Sequence, residues 1–151
     1  MSIGMPPLGF QKPPIHEDKP LSPKSPYGAS KMAGEGYCSA FSGSYDLNTT
    51  ILRFSNVYGP GSYKKDSVVA KFIKDCIRNQ KILINGDGEQ TRDFIYIDDL
   101  IKAILLSTKV QKCGEIFQIA SGKETSIKEL ARIILDYLNN KLDFKINGRS
   151  K

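Results

Sequence analysis

The sequence contains one histidine and three cysteines, and the scarcity of both is informative. Cys38, Cys76 and Cys113 are odd in number, far apart and outside any Cys-x-x-Cys pair, which argues against a disulfide framework or a zinc site and suits a reducing compartment. His16, close to Pro13 and Pro14, reads as a loop residue, so neither a histidine metal site nor a Ser/His triad can be assembled and no metal is expected. No stretch approaches the roughly 20 consecutive apolar residues that a membrane-spanning helix needs. The amino end, residues 1–14, is Pro-rich with no basic start and no long apolar run, so the expectation is a cytoplasmic location without membrane attachment. Internal repeats and low-complexity tracts are missing as well.

What remains is a chain of 151 residues, 40% of them hydrophobic, enough for a modest core and most simply one compact domain. The formal charge of +6 raises nucleic acid as a partner, because clustered cations displace counterions from phosphates. The cations are not clustered. The close groups are Lys64-Lys65 and the set Lys71, Lys74 and Arg78, whose spacing puts them on the polar side of an amphipathic helix. A solvated face accounts for them, and no nucleic-acid partner is expected; a small phosphorylated ligand would benefit equally from mild basicity.

The first 26 residues hold seven of the eight prolines, so 1–26 reads as an irregular lead-in loop. Ser25-Pro26 opens a helix with Ser as cap and Pro at the first position. The residues Ala29, Met32, Ala33, Gly36, Tyr37, Ala40 and Phe41 then fall at the spacing of one buried face, to about Phe41. Thr49 to Phe54, β-branched and apolar ahead of Gly59-Pro60-Gly61, predicts a buried strand. Val68, Val69, Phe72, Ile73, Cys76 and Ile77 give a helical stripe that Asp66 or Ser67 can cap. Ile82 to Ile84 and Asp93 to Ile97 predict short strands around Asn85-Gly86-Asp87-Gly88, a sequence rich in hairpin-turn signals. Asp98-Asp99 predicts the cap of a helix with Ile101, Ile104 and Leu105 on one face, ending near Thr108. Ile116 to Ile119 follows as a strand. Ser126-x-x-Glu129 is a capping box before Ile127, Leu130, Ala131, Ile134, Tyr137 and Leu138, and Phe144 to Ile146 adds a last strand. Strands alternating with helices make the chain α/β.

Chemistry concentrates at Tyr27-Gly28-Ala29-Ser30-Lys31, where residues four apart share a helical face. A free tyrosine hydroxyl titrates near pH ~10, so a phenolate base near neutrality needs about 4 kcal/mol of help. A unit positive charge about 4 Å away supplies roughly that at the effective dielectric of a partly buried site. Spacing alone is also met by chance Tyr/Lys pairs; the surrounding motifs add the context.

Those motifs are Glu17, Pro20 and the run Ser25 to Glu35, then Leu52-Arg53-Phe54-Ser55-Asn56-Val57-Tyr58-Gly59-Pro60, then Gly86 to Asp99 including Gln90-Thr91-Arg92-Asp93-Phe94. In this order and at these separations, over roughly Pro14 to Leu138, the chain resembles the extended short-chain dehydrogenase/reductases that act on nucleotide sugars, typified by UDP-glucose 4-epimerase. The resemblance implies the carboxy-terminal part of a Rossmann-type fold plus a small substrate-binding subdomain. Residues 27–151 would then form a partial epimerase/dehydratase domain with the catalytic helix, the last Rossmann elements and the substrate-binding region. It implies Tyr27 as the acid/base that exchanges a proton with a sugar hydroxyl while NAD takes and returns a hydride. Lys31 would bind the nicotinamide ribose and stabilise the Tyr27 phenolate. Phe54 and Ser55 would stand beside the nicotinamide. Asn56 and Arg92 would hold the nucleotide diphosphate, for which a forked cation is suited. Val68 and Ile84 would line the base and ribose pocket. The implied partners are a nucleotide sugar and a second copy of the chain, through the Tyr27 helix.

Three departures from the family pattern qualify this. No strand and Gly-rich turn for a dinucleotide precede Tyr27 in this sequence, and Gly86-x-Gly88-x-x-Thr91 lacks the third glycine and leads into a strand, so it reads as a turn. On that ground the chain alone is expected to bind NAD very weakly. Ser2 falls where the family carries a catalytic Ser or Thr, but without the usual Val-Tyr-Gly after it. Arg149 is a poor substitute for the family's later substrate-binding arginine. The reaction class implied is an epimerase, with a 4,6-dehydratase or a reductase as rivals; Ser2-Ile3-Gly4 stands where the dehydratases carry Thr-Asp-Glu. The competing reading is a non-catalytic remnant that binds nucleotide sugar or dimerises. Asp99 reads as a helix cap, not an acid catalyst.

Overall fold

In chain order the elements are β1 (Ser2–Gly4), α1 (Pro26–Tyr45), β2 (Thr50–Phe54), β3 (Asn56–Tyr58), a 3-10 turn (Ser62–Lys64), α2 (Val68–Asn79), β4 (Ile82–Asn85), β5 (Thr91–Tyr96), α3 (Ile97–Ser107), β6 (Glu115–Ile119), β7 (Glu124–Ser126), α4 (Ile127–Tyr137) and β8 (Phe144–Asn147). The structure is a computed structural model and describes residues 2–4, 15–79, 81–110, 112–138 and 144–147; Arg149 lies outside them. The chain divides into two compact units, residues 1–57 with 95–122 and residues 58–94 with 123–151, where length and composition predict one. The buried apolar residues explain the difference, since they gather into two separate clusters.

The first unit is built on a parallel sheet in the order β1-β2-β6, with Leu52 opposite Ser2 and Phe117. Ser2–Gly4, which the proline content assigns to an irregular lead-in, is therefore a strand; pairing with β2 overrides the local composition. Ile51 through Phe54 are all buried, as expected for a strand covered on both faces. Successive side chains of a strand point to opposite sides. Leu52 and Phe54 pack with Leu100 of α3 and with Ile95, while Arg53 reaches Glu35 of α1, so the two helices cover opposite faces. Helix α1 runs to Tyr45, beyond the predicted end, and stops where Asp46 takes a left-handed conformation.

Both helices turn a different side to the sheet from the one their apolar spacing predicts. In α1 the buried residues are Gly28, Gly34 and Glu35, whereas Ala29, Met32, Ala33, Gly36, Tyr37, Ala40 and Phe41 are exposed. In α3 the buried residue is Leu100, while Ile101, Ile104 and Leu105 are exposed. The α3 sequence is apolar around most of its circumference, so its period does not select a face. Nor do Asp98 and Asp99 cap it: Tyr96 occupies the cap position and makes no side-chain capping bond, and the two acids lie in the first turn, where the positive end of the helix dipole favours them. Asp99 pairs with Lys102 at 3.0 Å, and that hydrogen bond holds the exposed Lys102 ammonium above its ordinary range.

The second unit packs α2, β4 and α4 around Phe72, Cys76, Ile82, Ile84, Ile127, Leu130, Ala131, Ile134 and Leu135. Burial, with Asp75 beside it, pushes the Cys76 thiol up. The capping box at Ser126 forms, its Oγ accepting from Glu129 N at 3.0 Å. Of the stripe predicted for α4, Tyr137 is exposed and Leu135 takes a place in the core. At α2, Asp66 binds Lys74 instead of capping, and Ser67 accepts from Lys71 N through its carbonyl. Strands β4 and β5 do not form the predicted hairpin. β4 pairs in parallel with β8, and β5 pairs antiparallel with β7. The intervening turn docks on α4 instead, with Gly88 O accepting from Lys128 N and Gln90 O from Ile127 N.

Candidate active site

The first turn of α1 is held by local bonds that its sequence encodes. Ser25 Oγ accepts from Gly28 N at 3.1 Å, Pro26 occupies the first turn, and Ser30 Oγ donates to Tyr27 O at 2.8 Å. Gly28 lies close to Pro23, 3.3 Å from where a Cβ would sit, which seats the lead-in against the helix start. One turn on, Lys31 folds back so that its Nζ stands 5.2 Å from the centre of the Tyr27 ring. The two side chains are thus brought together as the four-residue spacing predicts. Tyr27 is 52% exposed, leaving much of the phenol open to a ligand.

In the same unit, Ser55 and Asn56 follow the carboxyl end of β2, the end at which open parallel sheets bind ligands. Ser55 N donates to Ile119 O at 3.0 Å, which extends the β2–β6 ladder by one residue and fixes its backbone. Its Oγ is buried and has no hydrogen-bond partner among the described residues. A buried hydroxyl in that condition costs stability unless something binds it.

In the second unit, Val68 packs against the core cluster to which Ile84 belongs, and Ile84 is almost fully buried. Arg92 lies on β5, exposed, with Nη1 donating to Thr91 O at 2.8 Å. The basic residues of α2 are spread over local partners: Lys74 pairs with Asp66, Arg78 Nη2 donates to Tyr63 Oη at 2.6 Å, and both cations stand over the Tyr63 ring.

A buried ion pair, which none of the sequence motifs indicates, joins β2 to α1. Arg53, in the middle of β2, donates from Nε to Glu35 Oε1 at 2.9 Å and from Nη2 to Glu35 Oε2 at 2.8 Å. Its Nη1 donates to Glu17 O at 3.0 Å, and Glu17 Oε1 accepts from Gln118 N at 2.7 Å. The available signal was an arginine inside a strand that is otherwise apolar, because a buried guanidinium requires an acid.

Known proteins are similar to this chain over most of its length. The family model described as NAD dependent epimerase/dehydratase matches residues 5–120. A putative UDP-glucose 4-epimerase of Methanocaldococcus jannaschii is 44% identical over 123 residues, covering 80% of this chain and 40% of that protein. Human dTDP-D-glucose 4,6-dehydratase is 38% identical over 122 residues, covering 81% of this chain and 35% of its own length. Among solved structures, the UDP-glucuronic acid 4-epimerase of Bacillus cereus, in complex with UDP-glucuronic acid and NAD, superposes with a TM-score of 0.87 at 28% identity, covering 96% of this chain and 47% of that one. The chain therefore spans less than half the length of these proteins. Its mixed α/β architecture with a parallel sheet is that of the Rossmann-type short-chain dehydrogenase/reductases, and the chain belongs to the NAD-dependent epimerase/dehydratase family.

Proposed function

We propose that this chain carries the acid/base helix and nucleotide-sugar contacts of an NAD-dependent nucleotide-sugar 4-epimerase. The observation that supports this most directly is the Lys31 ammonium 5.2 Å from the centre of the Tyr27 ring, on the opening turns of a capped helix. In this reading Tyr27 Oη takes the proton of a sugar hydroxyl as the carbon is oxidised and returns it as the carbon is reduced. Lys31 balances the negative charge of the Tyr27 phenolate before it takes that proton and after it gives it back. NAD, when bound, supplies the acceptor and donor of the hydride. Unit 1 offers groups that suit such a ligand: the Ser55 hydroxyl, buried without a partner among the described residues, and the Lys31 ammonium, a donor to ribose hydroxyls. Asn56 and Arg92 are each proposed as diphosphate contacts, and Val68 and Ile84 as support for the base and ribose. A second copy of the chain is the partner proposed for the exposed apolar side of α1, where Met32, Tyr37 and Phe41 lie among small residues that allow close helix packing.

The experiment is interconversion of UDP-glucose and UDP-galactose with NAD and a complementing NAD-binding segment present. Tyr27→Phe should lower kcat by about a hundred- to ten-thousandfold while the fold, read by circular dichroism, is unchanged. Undiminished turnover in that variant dismisses Tyr27 as the base. The human relative supplies a second reading, a 4,6-dehydratase, which predicts loss of water from a dTDP- or UDP-hexose in the same assay. Binding of a UDP-sugar in a calorimeter with no turnover of any kind supports the non-catalytic reading instead.

A further inference from the structure

Among the described residues, helix α1 is attached to its sheet by charge and not by an apolar seam. Its buried residues are Gly28, Gly34 and Glu35, and of these only Glu35 has a side chain long enough to reach β2. Its large apolar residues Met32, Tyr37, Phe41 and Tyr45 lie on the exposed side. The contact between a helix side chain and β2 is the two-pronged Glu35–Arg53 pair, with side-chain exposures of 6% and 2%, and just ahead of β2 Thr49 Oγ1 donates to Cys38 O at 3.3 Å. The same guanidinium holds Glu17 O, and Glu17 holds Gln118 N, so one cluster, buried at the ion pair and half-buried at Glu17 and Gln118, ties the lead-in, α1, β2 and β6.

Tyr27, Lys31 and Glu35 are spaced four apart and share one face of α1. Arg53 and Ser55 are two apart and share one face of the extended chain. Glu35 stands about 6 Å along the helix axis from Lys31 and about 12 Å from Tyr27, at 1.5 Å per residue. We propose that Glu35 and Arg53 are positioning residues: their fork sets the rotation and axial register of α1 on β2, and so where Tyr27 and Lys31 stand relative to Ser55. The physical basis is directional. Apolar surfaces tolerate sliding by an ångström, whereas two parallel N–H···O bonds between planar groups do not. Buried ion pairs can often be replaced by apolar residues without loss of stability, so a role in position can be separated from a role in stability. The inference rests on the reading of Tyr27 and Lys31 given above, and the test separates the two.

Amide hydrogen exchange and kinetics would be measured on the intact protein for Arg53→Lys, which keeps the charge and loses the fork, and for Glu35→Met combined with Arg53→Met, which removes both charges. The double variant is included because Arg53→Ala alone strands a buried carboxylate, which is strongly destabilising by itself. In both test variants β2 and β6 should keep their protection while α1 amides exchange at least about tenfold faster, because a single undocked helix is marginal in water. The value of kcat should fall on the order of a hundredfold with KM unmoved, the expected cost of an ångström of misplacement. Unchanged protection of α1 in the double variant, or turnover that merely follows melting temperature across the set, overturns the proposal. Full turnover in Tyr27→Phe discredits the base assignment alone, since the exchange measurement still decides whether the fork docks the helix.

Discussion

Single residues carry more of this structure than their neighbourhood in the sequence shows. Arg53 is the clearest case. A guanidinium inside a buried strand announces that an acid must meet it, but the sequence does not say which of its sixteen acids, and the fold assigns the carboxylate to Glu35 and the carbonyl to Glu17. Gly88 is a second. Its place in a glycine-rich turn was legible; the close approach was not. It has φ of 74°, and an added Cβ would come within 2.8 Å of Lys128 Cγ and 3.1 Å of Ile84 Cγ2. Gly122, with φ of 75° and nothing within 4 Å, is the natural control. Gly122→Ala should cost about 1–2 kcal/mol for the left-handed backbone alone, and Gly88→Ala about 1 kcal/mol more, read from urea unfolding midpoints. Equal losses would mean that the space around Gly88 contributes nothing.

At the scale of elements, the caps predicted at Ser25 and Ser126 form, those predicted at Asp66 or Ser67 and at Asp98-Asp99 do not, and what depends on a distant neighbour is not written locally. The caps at Ser25 and Ser126 are bonds between a side chain and a backbone N–H three residues away, so they are written in consecutive residues. Ser126→Ala should destabilise the second unit by about 1 kcal/mol, seen as an earlier unfolding midpoint at unchanged slope. No change would show that the bonds from Gly88 O and Gln90 O to the next two amides hold the start of α4 by themselves. The faces of α1 and α3 were assigned from apolar spacing and came out rotated. Spacing identifies a stripe that avoids water, but not whether the sheet or another surface covers it, and in α1 the sheet side is filled by glycines, a glutamate and the half-buried Lys31 and Cys38. The hairpin around Gly86 failed for a related reason. Turn residues permit a reversal of the chain, but pairing is decided by which strands are available, and β8 and β7 were.

At the scale of the molecule, the exposed side of α1 leads to the last expectation. If a second copy covers Met32, Tyr37 and Phe41, the protein sediments as a dimer, and Phe41→Glu yields a monomer with unaltered circular dichroism, because that ring contacts no core cluster. A wild-type protein that is monomeric at tens of micromolar, roughly the range in which a modest helix interface assembles, removes this proposal. The family, the α/β class, the four helices, the strands β2, β4, β5, β6 and β8 and the Tyr27–Lys31 neighbourhood were determined by the sequence alone, because each depends on residues within a few positions of one another or on motifs in a fixed order. Only the tertiary structure decided that the cores are two, that Ser2–Gly4 joins the sheet, and that a buried ion pair docks the helix bearing Tyr27. Those outcomes depend on which distant segment arrives beside which. A buried charge or an unpaired backbone group must be satisfied by whatever lies next to it in space, and residues as far apart as Glu17 and Gln118 become neighbours only once the chain has folded.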